Sequence, residues 1–274
     1  MSNLGIYIPS LGRSNMVHKG PLTQVPEELL EEVNFVVSHE ECEEYKTTLP
    51  DGCQVHAIDM SSGIGAVRQW IIENAVHPYV LFIDDDTNIS YREEETGKLK
   101  KCGKEQFKDM FNFVQEFFES GYAHVGLSER ATNYTVTGQY AEIGKMYNTC
   151  VYNRSVLLEQ EVRFDTLSLM EDYDVTLSLL EKGFPNAIIY KYAFEQRKSG
   201  EVGGCSTYRT WEMQRKAAFK LAERHPGCVK VITKNMKEAW ENVGAHRVDV
   251  NINWKKAYRP KRRTEKSGVA EFFK

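Results

Sequence analysis

The chain has 274 residues and a mass of 31.5 kDa, which suits one large α/β domain or two small ones. Its 41% hydrophobic and 27% charged residues exclude an intrinsically disordered or collagen-like protein. No apolar run approaches the ~18 residues of a membrane span, and the N-terminus does not resemble a secretion signal. The six cysteines show no C-x-x-C spacing, so we expect reduced thiols in a cytoplasmic protein without a membrane partner.

The charge is unevenly distributed along the chain. The net charge is −4, but residues 247–274 carry nine Lys or Arg and three Asp or Glu, a net of +6, which leaves −10 for residues 1–246. We therefore separate a main domain, residues 1–254, from a basic C-terminal tail, residues 255–274. Such a tail favours a polyanionic partner, although a solvated, frayed terminus would have the same composition.

Strands and helices alternate over the first 86 residues. Short apolar runs predict strands at 4–8, 33–37, 54–58 and 79–83, and helical periodicity predicts helices at 38–45 and 64–75. The first of these helices depends on Ser38 and Glu41, which have the spacing of a capping box. The alternation predicts an α/β fold with a mostly parallel, doubly wound, Rossmann-like sheet and helices on both faces.

The second half extends the same fold. Residues 90–104 are expected to form a charged loop, and a stripe of aromatic residues predicts a helix at 107–118. The remaining predicted strands are 122–127, 146–152, 187–192, 229–232 and 247–254, and the remaining predicted helices are 172–182 and 211–224. No repeat or linker interrupts the chain, so one domain with an elaborated second half is the simplest interpretation.

Three consecutive aspartates, Asp84, Asp85 and Asp86, follow the fourth predicted strand. Adjacent carboxylates repel one another and resist loss of water, so their place after a buried strand indicates a compensating cation. Carboxylate oxygens suit Mg²⁺ or Mn²⁺, which in turn bind phosphates. The simpler alternative is an acidic turn that ends a strand. Because ligands bind beyond the carboxyl ends of parallel strands, we expect residues 9–13 and 84–86 to lie on one rim of the sheet.

Four motifs occur in an order that is typical of one enzyme class. They are Ile6-Tyr-Ile-Pro-Ser-Leu-Gly-Arg13, Gly63-Ile-Gly-Ala-Val-Arg-Gln69, Phe82-Ile-Asp-Asp-Asp86 and Met170-Glu-Asp172. Over about residues 4–205 the chain resembles GT-A glycosyltransferases, most of all the TET/JBP-associated glycosyltransferases of bacteriophages, which modify hydroxymethylated pyrimidines in DNA. The resemblance implies a single GT-A-like catalytic domain over residues 1–254, and the cytoplasm of a bacterial host as its location if the chain is phage-encoded.

The resemblance assigns the nucleotide-sugar side of the site to residues at the strand ends. Mn²⁺ or Mg²⁺ would bind Asp84 and Asp86 and neutralise charge on the departing nucleoside diphosphate. The diphosphate would contact cationic side chains and the amides at the start of a helix. The implied nucleotide-sugar-binding residues are Pro9, Ser10, Arg13, Gly65, Arg68, Asp84, Asp85, Gly203 and Gly204. His225 and His246 are candidates for a third metal ligand.

The resemblance also implies a catalytic carboxylate. Asp172, or its neighbour Glu171, would take the proton from the acceptor hydroxyl if the reaction inverts the anomeric centre. If the reaction retains the configuration, a residue here would instead hold the acceptor or the sugar. Carboxylates in the first turn of a helix are also an ordinary way to satisfy the helix dipole.

The implied acceptor site completes the assignment. Arg130 and Tyr134 would hold a flipped base, and Lys255 and Arg259 would contact a phosphate backbone. The chain is thus predicted to be a metal-dependent glycosyltransferase that moves a sugar from a UDP-sugar to a 5-hydroxymethylpyrimidine, first of all 5-hydroxymethylcytosine, in duplex DNA. Two alternatives stay open: a GT-A enzyme that acts on a glycan, protein or small molecule, and a catalytically silent module that binds DNA or a sugar nucleotide.

Overall fold

The first half of the protein is a parallel α/β unit. A computed structural model describes residues 2–135, 138–196, 210–235 and 246–260. The first elements are β1 (Leu4–Pro9), β2 (Val33–Ser38), α1 (Cys42–Thr48), β3 (Gln54–Ile58), α2 (Ile64–Asn74) and β4 (Tyr79–Phe82). β1 pairs in parallel with both β2 and β4, and β2 pairs in parallel with β3. Every residue of β1 and β2 is buried, as expected for strands that are covered on both faces.

The second half adds a mixed set of strands to the same sheet. Its elements are β5 (Thr87–Arg92), β6 (Leu99–Lys101), α3 (Lys104–Glu119), β7 (His124–Glu129), β8 (Tyr140–Glu142), β9 (Cys150–Asn153), α4 (Arg154–Glu159), α5 (Glu171–Glu181) and β10 (Asn186–Gln196). The sheet has ten strands in the order β3-β2-β1-β4-β9-β7-β10-β5-β6, and β8 also pairs with β10. β9 is antiparallel to both of its neighbours, and β10 is parallel to β7 but antiparallel to β5. The sheet is therefore parallel in its first half and mixed in its second.

Helices cover both faces of the sheet, as predicted. On one face, α3 buries Phe107 and Phe111 in a cluster that includes Ile6 of β1. On the other face, α2, α4 and α5 contribute Val67, Leu157, Val175 and their neighbours to a second cluster around Phe82. The α/β fold class is confirmed. No helix in the described ranges is long and apolar enough to cross a membrane.

Two local predictions were wrong. The expected loop over 90–104 contains an antiparallel hairpin, in which β5 pairs with β6 and the Glu93 amide donates to the Lys98 carbonyl at 2.9 Å. The first helix begins at Cys42 rather than after Ser38. Ser38 Oγ does donate to Glu41 at 3.1 Å, but the other carboxylate oxygen of Glu41 accepts from the Gly12 amide at 2.7 Å. Ser38 and Glu41 therefore fix the loop after β1 instead of capping a helix that begins after Ser38.

The C-terminal elements form a smaller layer against α5. They are α6 (Trp211–Arg224), β11 (Val229–Asn235), β12 (His246–Ile252) and α7 (Trp254–Ala257), and β11 and β12 form a separate two-stranded antiparallel sheet. Ala257 is fully buried in a third cluster with Leu180 of α5 and Leu221 of α6. Residues 255–260 of the predicted tail thus pack on the body, whereas 261–274 lie outside the described residues. The division into domain and tail stays a prediction.

Candidate functional site

Two polar clusters meet at the carboxyl ends of β1 and β4. The strands pair in parallel, so the residues that follow them, Ser10 to Arg13 and Asp84 to Asp86, lie on one rim of the sheet, as predicted. Arg13 Nη1 lies 2.5 Å from Asp85 Oδ1 and 2.9 Å from Asp86 Oδ2. The cation that three adjacent carboxylates require is therefore supplied, in part, by this chain.

Asp85 faces the interior of the rim. Its Oδ2 accepts a hydrogen bond from Ser10 Oγ at 2.6 Å, and Ser10 Oγ lies 2.5 Å from the Tyr45 hydroxyl. Burial raises the pKa of Asp85 to about 6, against the opposing effect of Ser10 and Arg13. Asp85 thus fixes the loop after β1. Tyr45 was missed because nothing in the sequence relates the end of a predicted helix to this rim.

The acidic turn is covered on one side by the backbone. The carbonyl oxygen of Asp85 lies only 2.1 Å from the position that a Cβ on residue 20 would occupy, so Gly20 is required for this close approach. The segment that carries Gly20 consists of short 3₁₀ turns at Ser14–Lys19 and Pro21–Thr23. Ser14 Oγ donates to Glu44 of α1 at 2.5 Å, which ties the segment to the body.

Asp84 accepts three hydrogen bonds. Its Oδ1 lies 3.1 Å from Arg68 Nη2, and its Oδ2 accepts from Asn148 at 2.5 Å and from Gln196 at 2.8 Å. Arg68 Nη1 contacts Glu171 Oε1 at 2.6 Å, so one guanidinium links the aspartate turn to the start of α5. Burial disfavours the charge of Arg68, whose side chain is 4% exposed, but Asp84 and Glu171 together raise its pKa. The predicted contact of Arg68 with a diphosphate stays a prediction.

Asp86 differs from its two neighbours. One oxygen contacts Arg13, whereas Oδ1 is buried and accepts no hydrogen bond within the described part of the chain. Burial and the charge of Asp84 raise the pKa of Asp86, although Arg13 opposes the effect. A buried carboxylate oxygen without a donor fits a cation ligand. No three His, Cys, Asp or Glu side chains among residues 2–135, 138–196, 210–235 and 246–260 converge as a complete metal site.

Of the two histidine candidates, His225 does not complete that set. His225 is buried between the α5 carboxylates, with Nε2 at 2.9 Å from Asp174 and Nδ1 at 3.2 Å from Glu181. It therefore serves the contact between α5 and α6, and its assignment as a third metal ligand is corrected. The side chain of His246 lies outside the described residues.

Asp172 lies at the first turn of α5, next to Glu171. Met170, which precedes the pair, has a φ of 64°, a left-handed conformation that is uncommon for a residue with a side chain. Asp172 Oδ1 accepts from the Tyr173 amide at 2.9 Å. Burial, and then the charge of Glu171, raise the pKa of Asp172 to about 7. A carboxylate with this pKa can exchange a proton near neutral pH.

A half-buried cation, Lys145, borders Asp172 and was not predicted. Its Nζ lies 4.0 Å from the ring centre of Tyr147 and 5.2 Å from that of Tyr173. Burial lowers the pKa of Lys145, while the charge of Asp172 acts in the opposite direction. No sequence motif marks Lys145, because Asp172 and Tyr173 follow it only after more than 25 residues of chain.

The remaining nucleotide-sugar predictions have mixed outcomes. Pro9 ends β1 at the rim. Gly65 lies in the first turn of α2, but a Cβ there would lie 2.7 Å from the Phe164 carbonyl oxygen, so close packing already accounts for this glycine. Its predicted phosphate contact stays a prediction. Gly203 and Gly204 lie outside the described residues.

Among the described side chains of the predicted acceptor residues, no contact joins Arg130 to Lys255 or Arg259. Arg130 contacts Ser90 Oγ at 3.2 Å and Glu195 Oε2 at 3.1 Å, so it braces β5 against β10. The side chain of Tyr134 lies outside the described residues. Lys255 is exposed on α7, and Arg259 lies beside Glu181 at 3.7 Å. Binding of the acceptor by these four residues stays a prediction.

Comparison with known proteins gives a family. The profile of the TET-Associated Glycosyltransferase family matches residues 4–204. The chain is 25% identical over 201 residues to the beta-glucosyl-HMC-alpha-glucosyl-transferase of Enterobacteria phage T6, a match that covers 70% of this chain and 68% of that protein. The protein of the same name from Enterobacteria phage T2 is 25% identical over 190 residues, covering 66% and 67% of the two chains.

Solved structures show a similar fold. The S. aureus TarS structure 1–349 in complex with UDP has a TM-score of 0.50 and 18% identity, covering 80% of this chain and 65% of that one. A second TarS structure has a TM-score of 0.51 and 18% identity, covering 80% of this chain and 39% of that one. The chain thus spans two thirds or less of the TarS chains, and this likeness supports the GT-A fold alone. Because the family profile spans well over half of its 274 residues, the chain belongs to the TET-associated glycosyltransferase family, and the prediction of a glycosyltransferase is confirmed.

Proposed function

We propose that this chain transfers a sugar from a UDP-sugar to a hydroxyl group carried by hydroxymethylcytosine in duplex DNA. The observation that carries the proposal is the bridge made by Arg68, which contacts Asp84 at 3.1 Å and Glu171 at 2.6 Å. A donor held at the aspartate turn would therefore have its reacting end beside Asp172. Support for the acceptor comes from the two phage relatives, both of which carry beta-glucosyl-HMC in their names.

The donor side is suited to a nucleoside diphosphate. Arg13 lies at the rim with a side chain that is 14% exposed, and its charge is shared between Asp85 and Asp86. A guanidinium in this position can contact the oxygens of a diphosphate that approaches the turn. The TarS structure that contains UDP has a similar fold, which supports uridine as the nucleoside of the donor.

A divalent cation fits at Asp86. The unpartnered Oδ1 of Asp86 would be a protein ligand, with Asp84 as a second carboxylate nearby. Bound Mn²⁺ or Mg²⁺ would neutralise the charge of the leaving UDP. Because too few protein ligands converge in the described ranges, we expect weak binding of the metal until the diphosphate is present.

Asp172 would act on the acceptor. In a single displacement its carboxylate takes the proton of the acceptor hydroxyl, the hydroxyl oxygen bonds to the anomeric carbon, and the bond from that carbon to the phosphate oxygen of UDP breaks. The pKa of about 7 leaves a large fraction of Asp172 ionised at neutral pH. If the reaction retains the configuration, the same position would hold the acceptor instead.

A mass-spectrometric assay tests the proposal. The full chain is incubated with Mn²⁺ or Mg²⁺, a series of UDP-sugars, and duplexes that contain cytosine, hydroxymethylcytosine or beta-glucosyl-hydroxymethylcytosine. We expect one sugar to be added to one or both modified bases and none to cytosine. NMR of the new anomeric centre then decides between the two roles of Asp172.

Two variants provide the controls. Asp172→Asn should lower the turnover by about 10²- to 10⁴-fold while UDP binding, measured by calorimetry, is unchanged. Asp165→Asn removes a carboxylate that pairs with Arg163 on the surface, and it should leave turnover unchanged. If no duplex gains a sugar and no UDP is released with any donor, the proposed function is wrong.

A further inference from the structure

The two parts of the chain carry opposite charge. Residues 1–196 contain 16 Lys or Arg and 31 Asp or Glu, a net charge of −15, whereas residues 197–274 contain 19 and 8, a net charge of +11. The family profile ends at residue 204, so nearly all of the basic part lies beyond it. A concentration of positive charge on one part of an acidic protein is typical of a surface that meets a polyanion.

Exposed cations of this basic part, together with Lys182 of the acidic part, gather where α5, α6, β11 and α7 meet. Lys182, Arg224 and Arg259 line a cavity of about 360 Å³ together with Ser178, Glu181 and His225. The amide of Asn253 donates to the Cys228 carbonyl at 2.8 Å, so the start of β11 lies beside the start of α7. We define the basic edge as the six exposed side chains Lys182, Arg224, Lys230, Lys255, Lys256 and Arg259.

Most of the charge on the basic edge is not neutralised by side chains of the described ranges. Arg224 contacts the buried Asp174 at 2.6 Å, and Arg259 lies 3.7 Å from Glu181. The four lysines of the edge have no ion pair within the described ranges. Glu181 and the exposed Glu223 are the nearby acids that would oppose an anion. The edge therefore presents a net positive charge to solvent.

Helix α5 links the basic edge to Asp172. Both ends of α5 are anchored to this region: the ring of Tyr173 meets that of Trp254 at 5.7 Å, and the Arg259 amide donates to the Leu180 carbonyl at 3.1 Å. Asp172 and Lys182 are ten residues apart on one helix, or about 15 Å. That length corresponds to about four to five base pairs of duplex DNA.

We propose that the basic edge binds the sugar-phosphate backbone of duplex DNA beside the base that is presented to Asp172, with Lys182 about four to five base pairs from that base. This inference rests on the proposed function, because it concerns the acceptor of the same site. Phosphate contacts of this kind position a duplex without reading its sequence. When a base leaves the stack to reach Asp172, these phosphate contacts would hold the duplex beside it in place.

The first experiment measures the salt dependence of duplex binding by fluorescence anisotropy, with the full chain. The edge variant combines Lys230→Ala, Lys255→Ala and Lys256→Ala. The matched control combines Lys100→Ala, Lys104→Ala and Lys108→Ala, three lysines at the surface that pair with Glu93, Glu27 and Glu28. We expect the slope of log K against log salt to fall by about 2 to 3 in the edge variant and to be unchanged in the control.

The second experiment varies the acceptor. Duplexes carry one modified base with flanks of two or of ten base pairs. For the wild type, we expect the KM to rise by at least tenfold when both flanks are short, with a similar kcat. The edge variant should have the high KM with both duplexes, while its UDP binding and its thermal stability match those of the control.

The outcomes separate the two proposals. The proposal for the basic edge is wrong if the edge variant binds DNA with the same affinity and salt dependence as the control. It is also wrong if the wild type does not bind duplex DNA, even where sugar transfer occurs. If the edge variant loses DNA binding but no donor yields a product, the edge stands and the proposed function fails. If the edge variant lost affinity for single-stranded DNA as much as for duplex DNA, the assignment of the edge to duplex DNA would also be overturned.

Discussion

Cations have different surroundings in the sheet body and in the C-terminal layer. In the body, Arg13 and Arg68 are shielded from solvent and contact the carboxylates of the site. In the C-terminal layer, Lys230, Lys255 and Lys256 are exposed and have no ion pair in the described ranges. The first kind of cation is part of the fold, because its removal leaves buried charge uncompensated. The second kind is available to a partner, because its removal changes only the surface.

The sharpest test of this contrast is Arg68→Met against Lys256→Met. Loss of Arg68 leaves Asp84 and Glu171 without their shared cation, so we expect the free energy of unfolding to fall by about 3–5 kcal/mol. Lys256→Met should change it by less than about 0.5 kcal/mol. Urea unfolding followed by circular dichroism gives both values. Similar losses in the two variants would remove the distinction between the two regions.

The pH dependence of stability tests whether Asp172 is as shielded as its position suggests. Its folded-state pKa of about 7 lies above the unfolded value near 4, so the folded protein holds the extra proton between these pH values. Stability from this group is therefore fully present below about pH 4 and is lost as the pH rises through 7. Asp172→Asn should gain stability relative to wild type from pH 4 to pH 8, by on the order of 4 kcal/mol.

Asp165 gives the control with the opposite sign. The hydrogen bond from Arg163 lowers the pKa of Asp165, so its stabilising effect is present above the unfolded pKa and is lost in acid. The stability of Asp165→Asn relative to wild type should fall as the pH rises through this acidic range. Melting temperatures of both variants and the wild type, measured at several pH values, test these opposite signs. If the stability differences of the two variants from wild type changed with pH in the same direction, the raised pKa of Asp172 would be contradicted.

Backbone packing in the body should respond to an added methyl group at Gly65. A Cβ there would lie 2.7 Å from the Phe164 carbonyl oxygen, so Gly65→Ala should lose about 1–2 kcal/mol even though alanine favours the helix. In Gly103→Ala the nearest atom is the mobile end of Gln106, at 3.0 Å, and the loss should be below about 1 kcal/mol. Thermal unfolding of the two variants measures the difference, and equal losses would argue against close packing at Gly65.

The smallest expected effect concerns the hydroxyl of Tyr45. Tyr45→Phe removes its 2.5 Å contact with Ser10 Oγ and should cost about 1 kcal/mol of stability. Tyr79→Phe, at a half-buried ring that packs on Phe118, is the matched control. A loss confined to Tyr45→Phe would show that the rim depends on this hydroxyl, whereas no difference would mean that Ser10 and Asp85 suffice.

The strands β1 and β4 were predictable because each is a continuous apolar run that ends at turn residues. The hairpin of β5 and β6 was missed because Thr87–Arg92 is polar and has no such run. Within the site, the meeting of Arg13 with the aspartates follows from parallel pairing of β1 and β4. The contacts of Asp84 with Asn148 and Gln196 join residues 64 and 112 positions apart, so only the folded chain reveals them.

The close approach between Gly20 and the Asp85 carbonyl has an evolutionary consequence. Any side chain at position 20 would have to displace the turn that carries the three aspartates. A homologue that keeps this turn should therefore keep glycine here even if every neighbouring residue has diverged. In a homologue with a different residue at position 20, we expect the aspartate turn to have another conformation and the leaving group to be bound in another way.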